Sequence, residues 1–165
     1  MVVKMKSKNE DSEITEKLIE LEVIKEDWNV YELEDGSIIK QKILLSFFIE
    51  TNEKDAQGNT KFWISNNQVT AVYSPISIRG PPDRNYSVPE LEKYVEQPNM
   101  KFSLIHDGGR NQYKTEKFLI TVNYLAKKIE KTSKYDSKGM PAYIVRNEIE
   151  MLISEVLPEK VNSKE

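Results

Sequence analysis

Apolar residues along this chain fall mostly in short runs that alternate with polar positions, the period of a half-buried strand rather than of a helix. Trp28-Asn29-Val30-Tyr31-Glu32-Leu33 is rich in strand formers and is followed by Glu34-Asp35-Gly36-Ser37. Asp-Gly between two such runs predicts a hairpin whose two central residues take positive φ. The return strand, Ile38 to Ile49, is long enough to need a bulge or a bend. Its consecutive residues Ile43, Leu44, Leu45, Phe47, Phe48 and Ile49 suggest burial on both faces over part of its length.

Beyond a loop over 52–60, Phe62-Trp63-Ile64 reads as a short strand, Asn66-Asn67 as a tight turn and Val69 to Tyr73 as its partner. Strands are likewise expected over 100–106, within 113–129 and over 142–145. Arg146-Asn147 reads as a turn, and 147–157 as a strand or a helix. Between Ile14 and Ile24 two patterns coexist. Ile14, Leu18 and Leu21 fit a helical stripe capped by Asp11 or Ser12, whereas Ile19, Leu21 and Val23 alternate with glutamates as a strand would. The β character of the adjoining segment 28–49 favours a strand over 18–24. One helix is predicted near 88–96, because Ser87-Val88-Pro89-Glu90 is a capping box with proline in the first turn.

The expected fold is therefore mainly β: an antiparallel barrel or sandwich of about eight or nine strands with one short helix. Residues 1–13 read as a flexible leader, 14–157 as one globular domain and 158–165 as a polar tail. A shift of 81 residues brings Asp55-Ala56-Gln57-Gly58 onto Asp136-Ser137-Lys138-Gly139. It also brings Phe62-Trp63-Ile64 onto Tyr143-Ile144-Val145. Two half-repeats, 28–73 and 100–155, are one reading of this; two ordinary hairpins are the other.

Composition narrows the chemistry. With 165 residues the chain can bury a core without staples. There is no cysteine and a single histidine, which excludes disulfides, thiolate nucleophiles and a zinc site built from histidines of one chain. The net charge of −3 disfavours nucleic acid as a partner. No apolar stretch is long enough to span a bilayer and no signal peptide is evident, so a cytoplasmic location is expected. No cofactor is implied.

Few residues suggest a site. Arg79-Gly80-Pro81-Pro82-Asp83-Arg84-Asn85-Tyr86 concentrates Arg79, Arg84 and Tyr86, residue types enriched at binding hot spots; the plainer reading is a stiff connection. His106 and Arg110 flank a glycine turn and could form an acid–base or anion site, or simply a polar turn. Asp55 and Asp136 could share a metal or flank a substrate, or each could bond its own turn. The aromatic residues Trp28, Tyr31, Phe47, Phe48, Phe62, Trp63 and Tyr73 could stack single-stranded nucleic acid, or fill the core. Lys127, Lys128, Lys131 and Lys134 form the basic cluster, diluted by Glu130.

Together these features point to a non-catalytic binding or adaptor module with a protein partner or self-association. A single-stranded nucleic-acid binder and a carboxylate-based enzyme are the alternatives.

Overall fold

A computed structural model describes residues 2–6 and 13–156, with side chains from 14 onward. In chain order the strands are β1 (Val2–Lys6), β2 (Glu13–Ile19), β3 (Glu22–Lys25), β4 (Asn29–Leu33), β5 (Ile38–Lys54) and β6 (Thr60–Tyr73). After a short helix, α1 (Val88–Leu91), come β7 (Val95–Gln97), β8 (Phe102–His106), β9 (Arg110–Lys114), β10 (Phe118–Tyr135) and β11 (Pro141–Glu155). They form two antiparallel sheets, as in a sandwich. One sheet runs β1-β2-β5-β4-β8 with β6 along the other edge of β5. The second runs β11-β10-β9-β3 with β7 beside β10. No described helix is long and apolar enough to cross a membrane.

Several sequence expectations need correction. The strand count is eleven among the described residues: 18–24 is divided between two strands and 113–129 between β9 and β10, residues 2–6 (not a flexible leader) and 95–97 add β1 and β7, and 62–64 with 69–73 and 142–145 with 147–155 each merge into one. Residues 1, 7–12 and 157–165, including the predicted polar tail, lie outside the described residues. Asn66-Asn67 is not a turn: β6 passes straight through it, paired to Leu45 and Leu44. Nor is Arg146-Asn147, which lies within β11; the 147–157 ambiguity resolves to strand through Glu155. In both places the long partner strand supplies an uninterrupted ladder, which overrides local turn propensity. The helix is shorter than 88–96. One α-turn over 88–91 and a 3-10 turn over 92–94 give way to β7, whose residues pair with β10. The β4–β5 turn has positive φ at Gly36 alone (83°) and not at Asp35. Leu33 N–H bonds the Ser37 carbonyl and Gly36 N–H bonds Leu33, so the loop is one residue longer than a two-residue hairpin.

β5 and β10 each carry a bulge, and in β5 it explains the apolar run. In β5 the register skips Ser46 between Leu45 and Phe47. Before it the odd residues Ile39, Gln41 and Ile43 face inward; after it the inward residue is Phe48. One extra residue flips the face of every later position in the strand. The run 43–49 is thus two half-buried segments, and Phe47 ends on the outside.

The two long hairpins share one register. Adding 81 to every β5–β6 pair, from Ile38 with Tyr73 to Lys54 with Thr60, gives a β10–β11 pair, including the bulge at Lys127. The turns match as well. Asp55 accepts from Gln57 and Asn59 backbone N–H groups, as Asp136 does from Lys138 and Met140. Gly58 and Gly139 take φ of 84° and 82°. Thr51 and Thr132 each donate from Oγ1 to the carbonyl ten residues on, at 2.8 Å.

Each half also reaches into the other. β3 pairs with β9, and β8 with β4, in matching registers: Val23 with Tyr113, Leu104 with Tyr31. Asn29 Nδ2 donates to the Tyr124 carbonyl while its Oδ1 accepts from Gly108 N–H. Asn111 Nδ2 donates to the Ile43 carbonyl while its Oδ1 accepts from Asp27 N–H. Ala126 N–H donates to the Tyr31 hydroxyl, and Leu45 N–H to that of Tyr113. Desolvation pushes the Tyr113 hydroxyl up to about 12, so it stays protonated and can donate as well as accept.

The two cores result from this exchange. One gathers Tyr31, Leu33, Ile39, Met100, Ala126 and Ile129; the other Ile43, Phe48, Tyr113, Ile120, Val122 and Tyr124. Neither draws on one half alone.

Candidate functional site

The loop residues singled out from the sequence are engaged within the fold. Gly80 N–H bonds the Gly139 carbonyl and Asp83 N–H the Asp136 carbonyl, both at 2.9 Å, so residues 80–83 strap the β10–β11 turn. Arg79 Nε donates to the Ser74 carbonyl and its guanidinium lies 5.2 Å from the Tyr73 ring. Arg84 pairs with Glu90 and stacks over Tyr86 at 4.0 Å, while the Tyr86 hydroxyl donates to Asp83. Its bond to Asp83 raises the Tyr86 hydroxyl, and the Ser87 backbone bond followed by Arg84 lowers the Glu90 carboxyl.

His106 and Arg110 sit elsewhere, and among the described residues no hydrogen bond or ion pair joins them to that loop. His106 Nε2 lies 2.8 Å from Asp27 Oδ2, a bond that holds the Asp27 carboxyl below its usual range. Arg110 Nε donates to Asn123. Asp55 and Asp136 each bind their own turn, and no group of three or more His, Asp or Glu side chains among the described residues is placed to hold a metal. Three of the four clustered lysines are ion-paired, Lys127 with Glu148, Lys128 with Glu130 and Lys131 with Asp35, and Lys134 lies over the Tyr94 ring at 4.3 Å.

The informative geometry lies where the two hairpins differ. The β10–β11 face is covered around Glu130 and Ile144 by the segment that comes after the strap, while Lys128 stays exposed. Ser87 caps α1 through a complete capping box, which starts the turn where the sequence places it. Leu91 is buried, Arg146 bridges Glu92 and Glu130 at 3.2 Å each, and Ile144 has no exposed surface. The corresponding residues of β5–β6, 81 lower, are Phe47 for Lys128, Ile49 for Glu130, Trp63 for Ile144 and Ser65 for Arg146. Nothing described covers them. Phe47 is 54% exposed and Trp63 50%. Leu18 pairs with Ile49, and Ile49 with Trp63, so one outward row runs Leu18–Ile49–Trp63 across β2, β5 and β6. Charge holds the cover on one face; the other presents an apolar row.

A second difference lies at the end of this row, where Leu18 also borders a cleft. This open cleft of about 800 Å³ separates residues 17–22 from the β9–β10 turn, with Glu50 and Phe118 among its lining. The counterparts of Glu50 and Phe62 in the other half are Lys131 and Tyr143, which close the matching position by converging on Asp35. Lys131 Nζ is 2.9 Å from Asp35 Oδ2, and the Tyr143 hydroxyl donates to the same oxygen and lies 2.8 Å from Ser37 Oγ. Burial alone would raise the Asp35 carboxyl; the bonds from Tyr143, Lys131 and Ser37 outweigh it and leave it lowered. Desolvation and the bond to Asp35 push the Tyr143 hydroxyl far up. This cluster is a saturated structural lock.

Sequence reasoning missed the apolar row because exposure and burial look alike in an aromatic-rich strand. The available signal was the alignment itself: Arg146 and Glu130 in one hairpin stand where Ser65 and Ile49 stand in the other. No protein-family model, curated protein or solved structure matches this chain.

Proposed function

We propose that the chain is a non-catalytic binding module that recognises another protein through the outer face of β5–β6. We further propose that its halves descend from one duplicated unit, whose second copy covers this face with its own helix and whose first copy leaves it for a partner. One observation carries the reading: Leu18, Phe47 and Trp63 lie exposed around the half-buried Ile49, whereas Glu130 and Ile144, the counterparts of Ile49 and Trp63, are buried, with Arg146 tying Glu130 to Glu92. Contiguous exposed apolar surface marks interaction sites, and aromatic residues dominate their energetics. The strap loop then serves the fold by closing the second hairpin.

Replacing Phe47 by a photo-crosslinking phenylalanine analogue in the protein's own cells tests this. A discrete adduct to a protein, another copy of the chain included, that disappears with Trp63→Asp is the expected outcome. Adducts to nucleic acid, formed in a salt-dependent way, would instead favour the single-strand reading, to which the exposed Trp63 and Phe47 lend their faces. No adduct of either kind rejects the site.

A further inference from the structure

We propose that the partner on this side is a second copy of the chain, joined antiparallel along β6; the inference rests on the protein-binding reading above and names its partner. Among the described residues β6 pairs with β5 and with no other strand, so its outer edge is open over a strand of 14 residues. Asn67, Gln68, Val69, Thr70 and Ala71 are all exposed. Natural edges of this length carry charges, proline or a cover that stops them pairing. β6 has no charged residue and no proline from Phe62 to Tyr73. Its counterpart β11 is defended, with Arg146, Glu148 and Glu150 at the corresponding stretch.

Twofold pairing makes this contrast decisive. In an isologous contact every pair is made twice, and a residue beside the axis meets its own near neighbour from the other copy. Side chains of paired strands must also fall on the same face, which restricts the register. An axis through Gln68 sets Trp63 against Tyr73 of the second copy, Ile64 against Val72 and Asn67 against Val69. Aromatic and β-branched pairs of this kind stabilise antiparallel ladders, whereas like charges directly opposite oppose them. The equivalent axis in β11 passes through Ile149 and would set Glu148 against Glu150 on both sides. The charge pattern therefore permits self-pairing of β6 about Gln68 and opposes it about the equivalent axis of β11. Tyr73, 62% exposed, and Trp63 would cover one another, and the apolar row of one copy would continue into the next.

Sedimentation equilibrium of the full chain tests the proposal, with near-UV circular dichroism as the check on folding. The expected result is a reversible dimer across about 1–100 µM, the range of modest strand-pairing contacts. Val69→Glu, at an exposed position, should weaken it by about tenfold or more by placing two carboxylates beside the axis. Asn67→Lys combined with Val69→Glu should restore it, because each new Glu then faces a new Lys of the other copy. A wild-type monomer throughout the range, a dimer indifferent to Val69→Glu, or a folded double variant that stays monomeric each overturns the proposal. If Phe47 still crosslinks to a different protein in cells, the binding reading survives that failure; if it crosslinks to nothing, both fall.

Discussion

The hairpins β5–β6 and β10–β11 share a register, a bulge and an Asp-x-x-Gly turn, yet their outer faces have opposite fates. On β10–β11 the chain uses residues 74–94, after β6, for a strap and a capped helical turn, and Arg146 and Glu130 hold that cover by ion pairing. On β5–β6 the same positions carry Ser65 and Ile49 beside Phe47 and Trp63. When two elements have one backbone and different surfaces, the backbone is the shared solution to folding, and the difference is where a separate role can reside.

The largest expected effect tests the shared part. Asn29 and Asn111 are fully buried, and each bonds the opposite half through both its amide nitrogen and its oxygen. Alanine at either position strands a buried carbonyl, together with the buried Gly108 N–H for Asn29 and the half-buried Asp27 N–H for Asn111. A loss of about 3 kcal/mol is expected for each in denaturant unfolding, in a single transition, since neither core belongs to one half. A loss confined to one of the two positions would break the equivalence of the halves.

The turns separate the hairpins next. Alanine at Gly58 incurs only the left-handed backbone cost of about 1 kcal/mol, because no atom lies within 4 Å of the added carbon. At Gly139 the same carbon would also lie 2.5 Å from the Gly80 carbonyl oxygen, so the strap must move. Gly139→Ala should therefore cost about 2–3 kcal/mol, the larger share from the displaced strap. Equal thermal shifts for the two variants would show that the strap contributes nothing to its hairpin.

Acid should also act on the covered half. The Asp35 carboxyl is lowered in the folded protein, so its stabilisation is present above its unfolded value of 3.8 and lost as pH falls through the folded value. Asp35→Asn should cost about 1–2 kcal/mol at pH 7. The gap to the wild type should begin to narrow below about pH 4, where the unfolded carboxylate protonates, and should close only as the folded carboxylate does so at its lower value. Urea midpoints across pH 2.5–7 read this directly; a gap that stays constant would mean the lock does not depend on the charge.

Much of this architecture was legible in the sequence because β-strands write their burial in alternate residues. The β4–β5 hairpin, the capping box at Ser87 and the Asp-x-x-Gly turns could each be read from four or five adjacent residues. What could not be read is what depends on partners distant in the chain. Asn66-Asn67 has the look of a turn until the ladder to Leu44 and Leu45 is known. The exchange of β3 and β8 joins residues some 80 positions apart, and nothing local in Val23 or Leu104 announces it. The site was less legible still. Arg79, Arg84 and Tyr86 drew attention as binding types, and the fold uses them to hold a loop. The residues that face outward, Phe47 and Trp63, resemble core residues because a single bulge decides which side Phe47 takes.

The smallest expected effect on stability bears most directly on function. Trp63 occupies the position of fully buried Ile144, and an aromatic residue truncated in a core costs about 3–5 kcal/mol. Trp63 is half exposed, its neighbours Phe47 and Leu18 are open, and no described element lies over them. Trp63→Ser should therefore leave the urea midpoint within about 0.5 kcal/mol of the wild type, as for an ordinary surface change. Its consequence should appear in association instead: the covalent adduct formed through position 47 should be lost. A loss of several kcal/mol would show that this face supports the fold as its counterpart does, and the asymmetry between the hairpins would then concern packing alone. Unchanged stability with lost association would place the chain's specificity on the one hairpin it does not cover itself.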